Sequence, residues 1–475
     1  MNASDTPQPQ RWRERLWRLR GSQLRRNAAS GLVVTVLGFA VTAVTYPLYL
    51  HYLGYEQYGL WLVLTTVLTL AQFGNLGIGP AVSKLVAEHY ERRDYAAVGR
   101  YVTSAMFILI VSGAVILLLV LLLRGPIVAA FKLKPRNAAL VLDLLPQVGF
   151  LSLYVFLVRA TGATLAGLGR LDLVNYGRIG ARIIGVAVSA LLLAAGHGVT
   201  SLLIAYYISE GMSHLFYGAA IVRRVPLSVL HPRSVSRQAT GRLVRFGSHV
   251  VGGTALDMLA GPFNKLMISR CAGIEAVPLY EIAYNASMYV RGLGVAGLES
   301  LMPEVGRFSG PGEEARNRVR ILYGKSVRLA LCMGIPLFIA FFCGADLLLR
   351  TWLRSQFVPM LVPTFRIMLG AAFLSLVAVP AYYVLLGLER PECIFKSSAL
   401  QTGTNVLAVS ALLMLGWRVS AETVVWCCLA AVAISSTYLL TRLQMVLGRQ
   451  TAPATGADRG QGQEVVGHFG GESDV

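Results

Sequence analysis

The stretch RRVPLSVLHPRSVSRQATGRLVR, residues 223–245, decides how this chain is read. It carries Arg223, Arg224, Arg233, Arg237, Arg242 and Arg245, and its two prolines, Pro226 and Pro232, break helical structure. It separates two copies of one pattern. Upstream, Phe150-Leu-Ser-Leu153 precedes Gly167-Leu-Gly-Arg170 and Ala187-Val-Ser-Ala-Leu-Leu192. Downstream, Phe373-Leu-Ser-Leu376, Gly387-Leu-Glu-Arg390 and Ala408-Val-Ser-Ala-Leu-Leu413 return in the same order, at offsets of 223, 220 and 221 residues. A fourth pair, Gly54-x-Glu56-x-x-Gly59-Leu60-Trp61 and Gly273-x-Glu275-x-x-Pro278-Leu279-Tyr280, lies at an offset of 219. Repetition on this scale dictates architecture.

With 55% hydrophobic and 14% charged residues in 475, the chain has too few polar side chains to cover a soluble globule, so it is read as a membrane protein. A net charge of +19 would ordinarily raise nucleic acid as a partner. Here the basic residues flank apolar spans on one side, as the positive-inside rule demands, and no nucleic-acid partner is expected. The six cysteines are scattered, mostly in apolar runs, without disulfide or metal spacing. The first 26 residues are polar and basic and carry no apolar core of a cleavable signal peptide.

About 20 apolar residues cross a bilayer. Twelve segments meet that length, near 28–50, 58–82, 101–123, 143–166, 178–195, 200–222, 246–268, 279–302, 325–345, 361–388, 394–416 and 421–446, six on each side of the basic stretch. Five domains follow: a cytoplasmic N-terminal segment 1–27, in which Trp12, Leu16 and Leu19 mark an amphipathic helix on the inner leaflet; a first six-helix lobe 28–222; a cytoplasmic basic connector 223–245; a second lobe 246–447; and a disordered cytoplasmic tail 448–475. Placing both termini in the cytoplasm puts most Lys and Arg inside. An even number of spans per repeat makes the lobes parallel, related by an axis along the membrane normal. The expected fold is an all-α polytopic membrane protein, two pseudo-twofold-related six-helix lobes around a central cavity.

Two motifs are look-alikes. Gly292-x-Gly294-x-x-Gly297 lies inside an apolar span without a preceding strand, so its glycines serve helix packing and not a dinucleotide. Gly324-Lys325-Ser326 lacks the earlier glycine of a phosphate loop, where Val319 stands. No catalytic residue, metal site or cofactor is expected. The chemistry lies in charges within the hydrocarbon, each costing on the order of 3 kcal/mol on insertion scales and therefore facing a partner or a wet cavity. Glu210, Asp257 and Arg291 fall near mid-depth and Arg159 somewhat inward, with His214 one turn from Glu210. Asp257 and Arg291 either neutralise each other or belong to a polar cavity whose basic groups bind an anion and whose carboxylates exchange a cation. Lys265, Glu281 and Arg366 sit nearer the interfaces. By the repeat, Asp257 corresponds to Gly38, Arg291 to Gln72 and Arg159 approximately to Tyr382.

Tyr46-Pro47, then Tyr52-Leu53-Gly54-x-Glu56-x-Tyr58-Gly59-Leu60-Trp61, then Asn75-Leu76-Gly77-Ile78-Gly79-Pro80-Ala81, resembles the N-terminal half of bacterial polysaccharide flippases. These are lipid-linked oligosaccharide translocases of the multidrug/oligosaccharidyl-lipid/polysaccharide exporter superfamily. The resemblance continues through Asn264-Lys265-Leu-Met-Ile268 and Tyr280-x-x-Ala283-Tyr284. Asn264 stands where the family often has an acidic residue, and Pro278 where it has glycine. The resemblance implies a transporter of the bacterial inner membrane, not an enzyme. It would flip an undecaprenyl-diphosphate-linked repeat unit outward by alternating access, for O-antigen, capsule or exopolysaccharide. Arg159, Arg291 and Lys265 would bind the diphosphate or glycan, and Asp257, Glu210 and His214 would couple H⁺ or Na⁺. Membrane lipids and other polysaccharide-assembly proteins are the further partners expected. The alternatives are a multidrug or other small-molecule exporter on the same scaffold, and an integral-membrane polymerase or glycosyltransferase. A drug-resistance assay tests the first. The second needs a loop with paired carboxylates or a nucleophile, and none is present.

Overall fold

The computed structural model describes residues 9–229, 231, 234–295, 298, 305, 313–388 and 390–448. Residues 1–8 of the N-terminal segment, Pro232 and Arg233 of the basic stretch, Gly297 and the tail from 449 lie outside it. Among the described residues the regular elements are helical. The first lobe comprises α1 (Pro9–Ala71), α2 (Ile78–Glu91), α3 (Tyr95–Ala130), α4 (Pro135–Gly167), α5 (Leu171–Ala194) and α6 (Thr200–Val222). The second comprises α7 (Arg237–Ala272), α8 (Val277–Val295), α9 (Glu313–Cys343), α10 (Ala345–Leu353), α11 (Leu361–Gly387), α12 (Pro391–Met414) and α13 (Ala421–Gly448). Among the described residues seven helices are long and apolar enough to cross a membrane by length and composition alone. Helices α6, α7, α8 and α12, which coincide with four further expected spans, are not among the seven, and each carries polar side chains that line the cavities described below.

The duplication is visible in the backbone. Helix α1 is broken at Gly54 (φ 65°, ψ −177°), and α7 ends at Gly273 in the related conformation (φ 93°, ψ 161°), 219 residues later. Only glycine enters this region without strain. Each bend folds the chain back on itself: the rings of Tyr46 and Tyr58 lie 6.1 Å apart, and Lys265 Nζ lies 2.9 Å from Glu281 Oε2. The C-terminal caps of α5 and α12 repeat bond for bond. The amides of Ala195, Gly196 and His197 donate to the carbonyls of Leu191, Leu193 and Leu192; those of Leu415, Gly416 and Trp417 donate to Ala411, Leu413 and Leu412. This register is 220, so the Ala187–Leu192 and Ala408–Leu413 sequence match, at 221, runs one residue out of structural step.

Two expectations change. The second span, expected to run unbroken over 58–82, is interrupted in its middle: a 3-10 turn (Gln72–Asn75) leads into Leu76 (φ 49°) and Gly77 (φ 65°) before α2 begins. Gly77 is required twice over, since a Cβ there would also strike the backbone of Gly247 on α7. Helix α7 begins inside the stretch read as connector, because its first turns pack on the first lobe: Leu243 is fully buried there and Arg242 Nη1 donates to Tyr101 Oη over 3.1 Å.

The hydrophobic core is forked. Toward the face formed by the Gly54 and Gly273 bends, the far face, one continuous apolar cluster joins both lobes, from Leu50 and Leu60 to Tyr280, Phe365 and Val425. Toward the opposite face, where α1 starts and α13 ends, the core splits. One cluster belongs to the first lobe with the start of α7, and the other holds Val319, Ala381, Leu385 and Leu443 of the second. Polar contacts reinforce the far-face closure. Lys134 Nζ lies 3.2 Å from Glu56 and 3.6 Å from Glu275 of the other lobe, and hydrogen bonding to Glu56 holds its ammonium above the usual lysine value. Ser269 Oγ donates to the Phe131 carbonyl over 3.0 Å, and Tyr55 Oη to that of Gln356 over 2.7 Å. Buried apolar area rather than these exposed ions supplies most of the closure.

Candidate functional site

Each lobe holds its own cavity. The first, of about 840 Å³, is lined by α1, α4, α5 and α6. The second, of about 730 Å³, is lined mainly by α7, α8, α11, α12 and α13, with Thr66 and Thr69 of α1. Both fall within the range of small-molecule sites, about 300–1,000 Å³. Both extend to the helix turns next to the open face, at Leu171 and Ile394.

The linings correspond position by position along the repeat. Val158, Arg159, Gly162 and Ala163 of α4 correspond to Ala378, Val379, Tyr382 and Tyr383 of α11 at 220. Val174, Arg178, Ala181, Arg182 and Gly185 of α5 correspond to Ile394, Ser398, Gln401, Thr402 and Asn405 of α12 at the same offset. The counterpart of Arg159 is thus Val379, one helical turn from the Tyr382 expected. Two cavities of common origin have diverged in charge.

The first-lobe cavity is basic. Arg159, Arg178 and Arg182 all point into it and are exposed to its space. Among the described residues none of the three forms an ion pair within 4.0 Å. Glu210 is its one acidic lining residue, within electrostatic range of Arg159 and Arg178. Arg182 is seated over Gly38 of α1, where a Cβ would collide with its guanidinium. In the second lobe the same crossing is made by Asp257, whose carboxylate accepts from Ser398 Oγ over 3.0 Å. The span expected at 178–195 puts Arg178 at its very edge and Arg182 in its first turn. Helix α5 begins at Leu171, placing them two and three turns inside. Their i, i+4 spacing on the stripe shared with Val174 and Gly185 was the available signal.

Of the residues singled out from sequence, Arg159 and Glu210 line the first cavity and Asp257, Lys265 and Arg291 the second. Arg159 and Arg291 therefore line different cavities, and Thr42 Oγ1 and Tyr289 Oη, 2.7 Å apart, join α1 to α8 where the lobes meet. Asp257 and Arg291 do not neutralise each other, because Arg291 Nε donates instead to Ser375 Oγ over 2.9 Å. Lys265 is engaged by Glu281 at 2.9 Å, with side-chain exposures of 13% and 17%, so its charge is spent within the protein. His214 is not among the cavity residues. On α6 the lining runs through Leu202, Ala205, Tyr206, Ser209, Glu210, Ser213 and Tyr217, and His214, about a hundred degrees from the centre of that stripe, packs its ring 5.7 Å from Tyr154.

The sequence matches the polysaccharide biosynthesis protein family over residues 24–308. No curated protein matches. Among solved structures, an inward-facing multidrug resistance MATE family transporter of the MOP superfamily aligns at TM-score 0.68 and 14% identity, covering 88% of this chain and 96% of that one. Its outward-facing counterpart aligns at 0.61 and 13% identity, covering 91% and 97%. A MOP superfamily transporter from Pyrococcus furiosus, described as having reversed binding-pocket polarity, aligns at 0.61 and 14% identity, covering 90% and 96%. At these identities the likeness concerns the fold, and it extends over both lobes. With 285 of its 475 residues inside the family match and a two-lobed fold like that of the MOP transporters around polar cavities, the chain belongs to the polysaccharide biosynthesis protein family.

Proposed function

We propose that the protein flips a lipid-linked oligosaccharide, an undecaprenyl-diphosphate repeat unit, from the cytoplasmic to the outer leaflet. The observation that carries this reading is the cavity with Arg159, Arg178 and Arg182 beside a single Glu210. A diphosphate and its sugars cannot cross hydrocarbon unaided, since each unpaired polar group there costs several kcal/mol. A wet basic cavity reached from the open face removes that barrier for the head while the prenyl chain stays in lipid. Guanidinium forks match phosphate oxygens bidentately. With the open face cytoplasmic, the closed far face is the outer gate, and loading occurs from inside. Glu210 beside two arginines, and Asp257 with a single hydroxyl partner, are the groups proposed to take up H⁺ or Na⁺ and couple the cycle.

The test is reconstitution in liposomes with a labelled prenyl-diphosphate glycan, following transfer between leaflets. Arg178→Gln/Arg182→Gln is expected to insert normally and to lose transfer by about 100-fold, the loss of two charge-assisted contacts of about 1.5–3 kcal/mol each offset by the remaining Arg159. Transfer at the wild-type rate in that variant would sink the proposal.

A further inference from the structure

The second-lobe cavity occupies the repeat positions of the first with a different chemistry. Where the first lobe has Arg159, Arg178 and Arg182, the second has Val379, Ser398 and Thr402. Its charged lining residues, Asp257, Lys265, Glu281 and Arg291, sum to zero, and two of them are already paired. What remains is neutral and amphipathic. Hydroxyls and amides of Ser398, Gln401, Thr402 and Ser435 face it from α12 and α13, and the rings of Tyr280 and Tyr284 lie stacked at 6.0 Å with 17° between their planes. Two buried amides are left incomplete. Asn264 and Asn405, 1% and 3% exposed, both donate to Cys428 Sγ, over 3.3 and 3.2 Å, and their Oδ1 atoms have no donor. A buried acceptor without a donor is unfavourable, so this wall favours a ligand rich in hydroxyl donors.

A ligand matching this wall has many hydroxyl donors, apolar C–H faces that lie flat on phenol rings, and no net charge. That describes a neutral pyranose. Resting on the function proposed above, we infer that the second-lobe cavity is a glycan subsite, which takes the uncharged sugars while the first-lobe arginines take the diphosphate. The division explains why duplicated cavities diverged: one molecule has an anionic and a neutral part, and each copy of the site serves one of them.

The experiment measures binding of two probes to purified full-length protein: farnesyl diphosphate, which has the anionic head without sugar, and the lipid-linked repeat unit extracted from the producing cells. Tyr284→Leu/Gln401→Leu is expected to weaken the glycosylated probe by about 10-fold or more and to leave farnesyl diphosphate unchanged, which also shows that the variant is folded. Arg178→Gln/Arg182→Gln is expected to weaken both. Equal losses on both probes for the tyrosine–glutamine variant, or no loss on either, overturn the glycan subsite while leaving the flippase reading intact. Wild-type protein that binds neither probe overturns both.

Discussion

Arg178 and Arg182 show how the placement of a charge depends on its neighbours. On α5 they rise above the open face on the same stripe as Gly185, and Gly38 across the interface leaves the space that Arg182 occupies. Gly38→Leu is accordingly expected to displace Arg182 without removing any charge, lowering affinity for farnesyl diphosphate several-fold; unchanged affinity would show that the seat is irrelevant. Lys265 teaches the converse. Sequence placed it among substrate-binding residues, but its partner Glu281 at 2.9 Å makes it part of the scaffold. Removing one member of a buried pair costs about 3–5 kcal/mol, whereas replacing both by apolar residues is often neutral. Lys265→Met should therefore sharply reduce the yield of folded protein, and Lys265→Met/Glu281→Leu should restore it; detergent-solubilised monodisperse yield is the readout. The intramembrane charges were legible one at a time, since ionised groups in apolar runs stand out. Their partners were not, because Asp257 and Ser398 are 141 residues apart and meet only in the packed bundle.

At the scale of elements, the repeat was readable because the glycines that bend and cap helices leave a sequence imprint. Gly54 and Gly273 stand at related positions and adopt related backbone conformations. The break in the second crossing was concealed. Phe73, Leu76 and Ile78 keep Gln72–Ile78 apolar on average despite Gln72 and Asn75, so a hydropathy window passes over it, yet Leu76 and Gly77 are both left-handed and Gly77 abuts Gly247. Gly77→Val adds a left-handed β-branched residue, about 1–3 kcal/mol of backbone strain, and a collision with the α7 backbone. Its thermal unfolding midpoint should fall by several degrees, while Gly79→Ala, where a Cβ meets open space, should leave it unchanged.

For the whole molecule, the forked core sets which face is open. A continuous apolar cluster closes the far face, and the Lys134, Glu56 and Glu275 cluster sits on its exposed rim. Lys134→Glu places three carboxylates together. Because exposed pairs are worth about 0–1 kcal/mol, the far-face-open population is expected to rise by up to about 5-fold. Labelling of Cys428, a second-cavity residue, by an impermeant maleimide added from the far side should report it in a variant lacking the other cysteines; undiminished protection would show that apolar contact alone holds the gate. What the sequence determined by itself was the membrane class, the duplication, the two-lobed all-helical plan and the presence of costly intramembrane charges. Composition, periodicity and the energy of burying charge are local quantities, and they survive being read along a line. Only the tertiary structure decided that the polar space is two diverged cavities, that Arg178 and Arg182 belong to one of them, that Lys265 is already paired, and which face stands open. Each depends on side chains from distant helices meeting at one depth and one rotation, and a single residue of register on a helix turns a side chain by a hundred degrees.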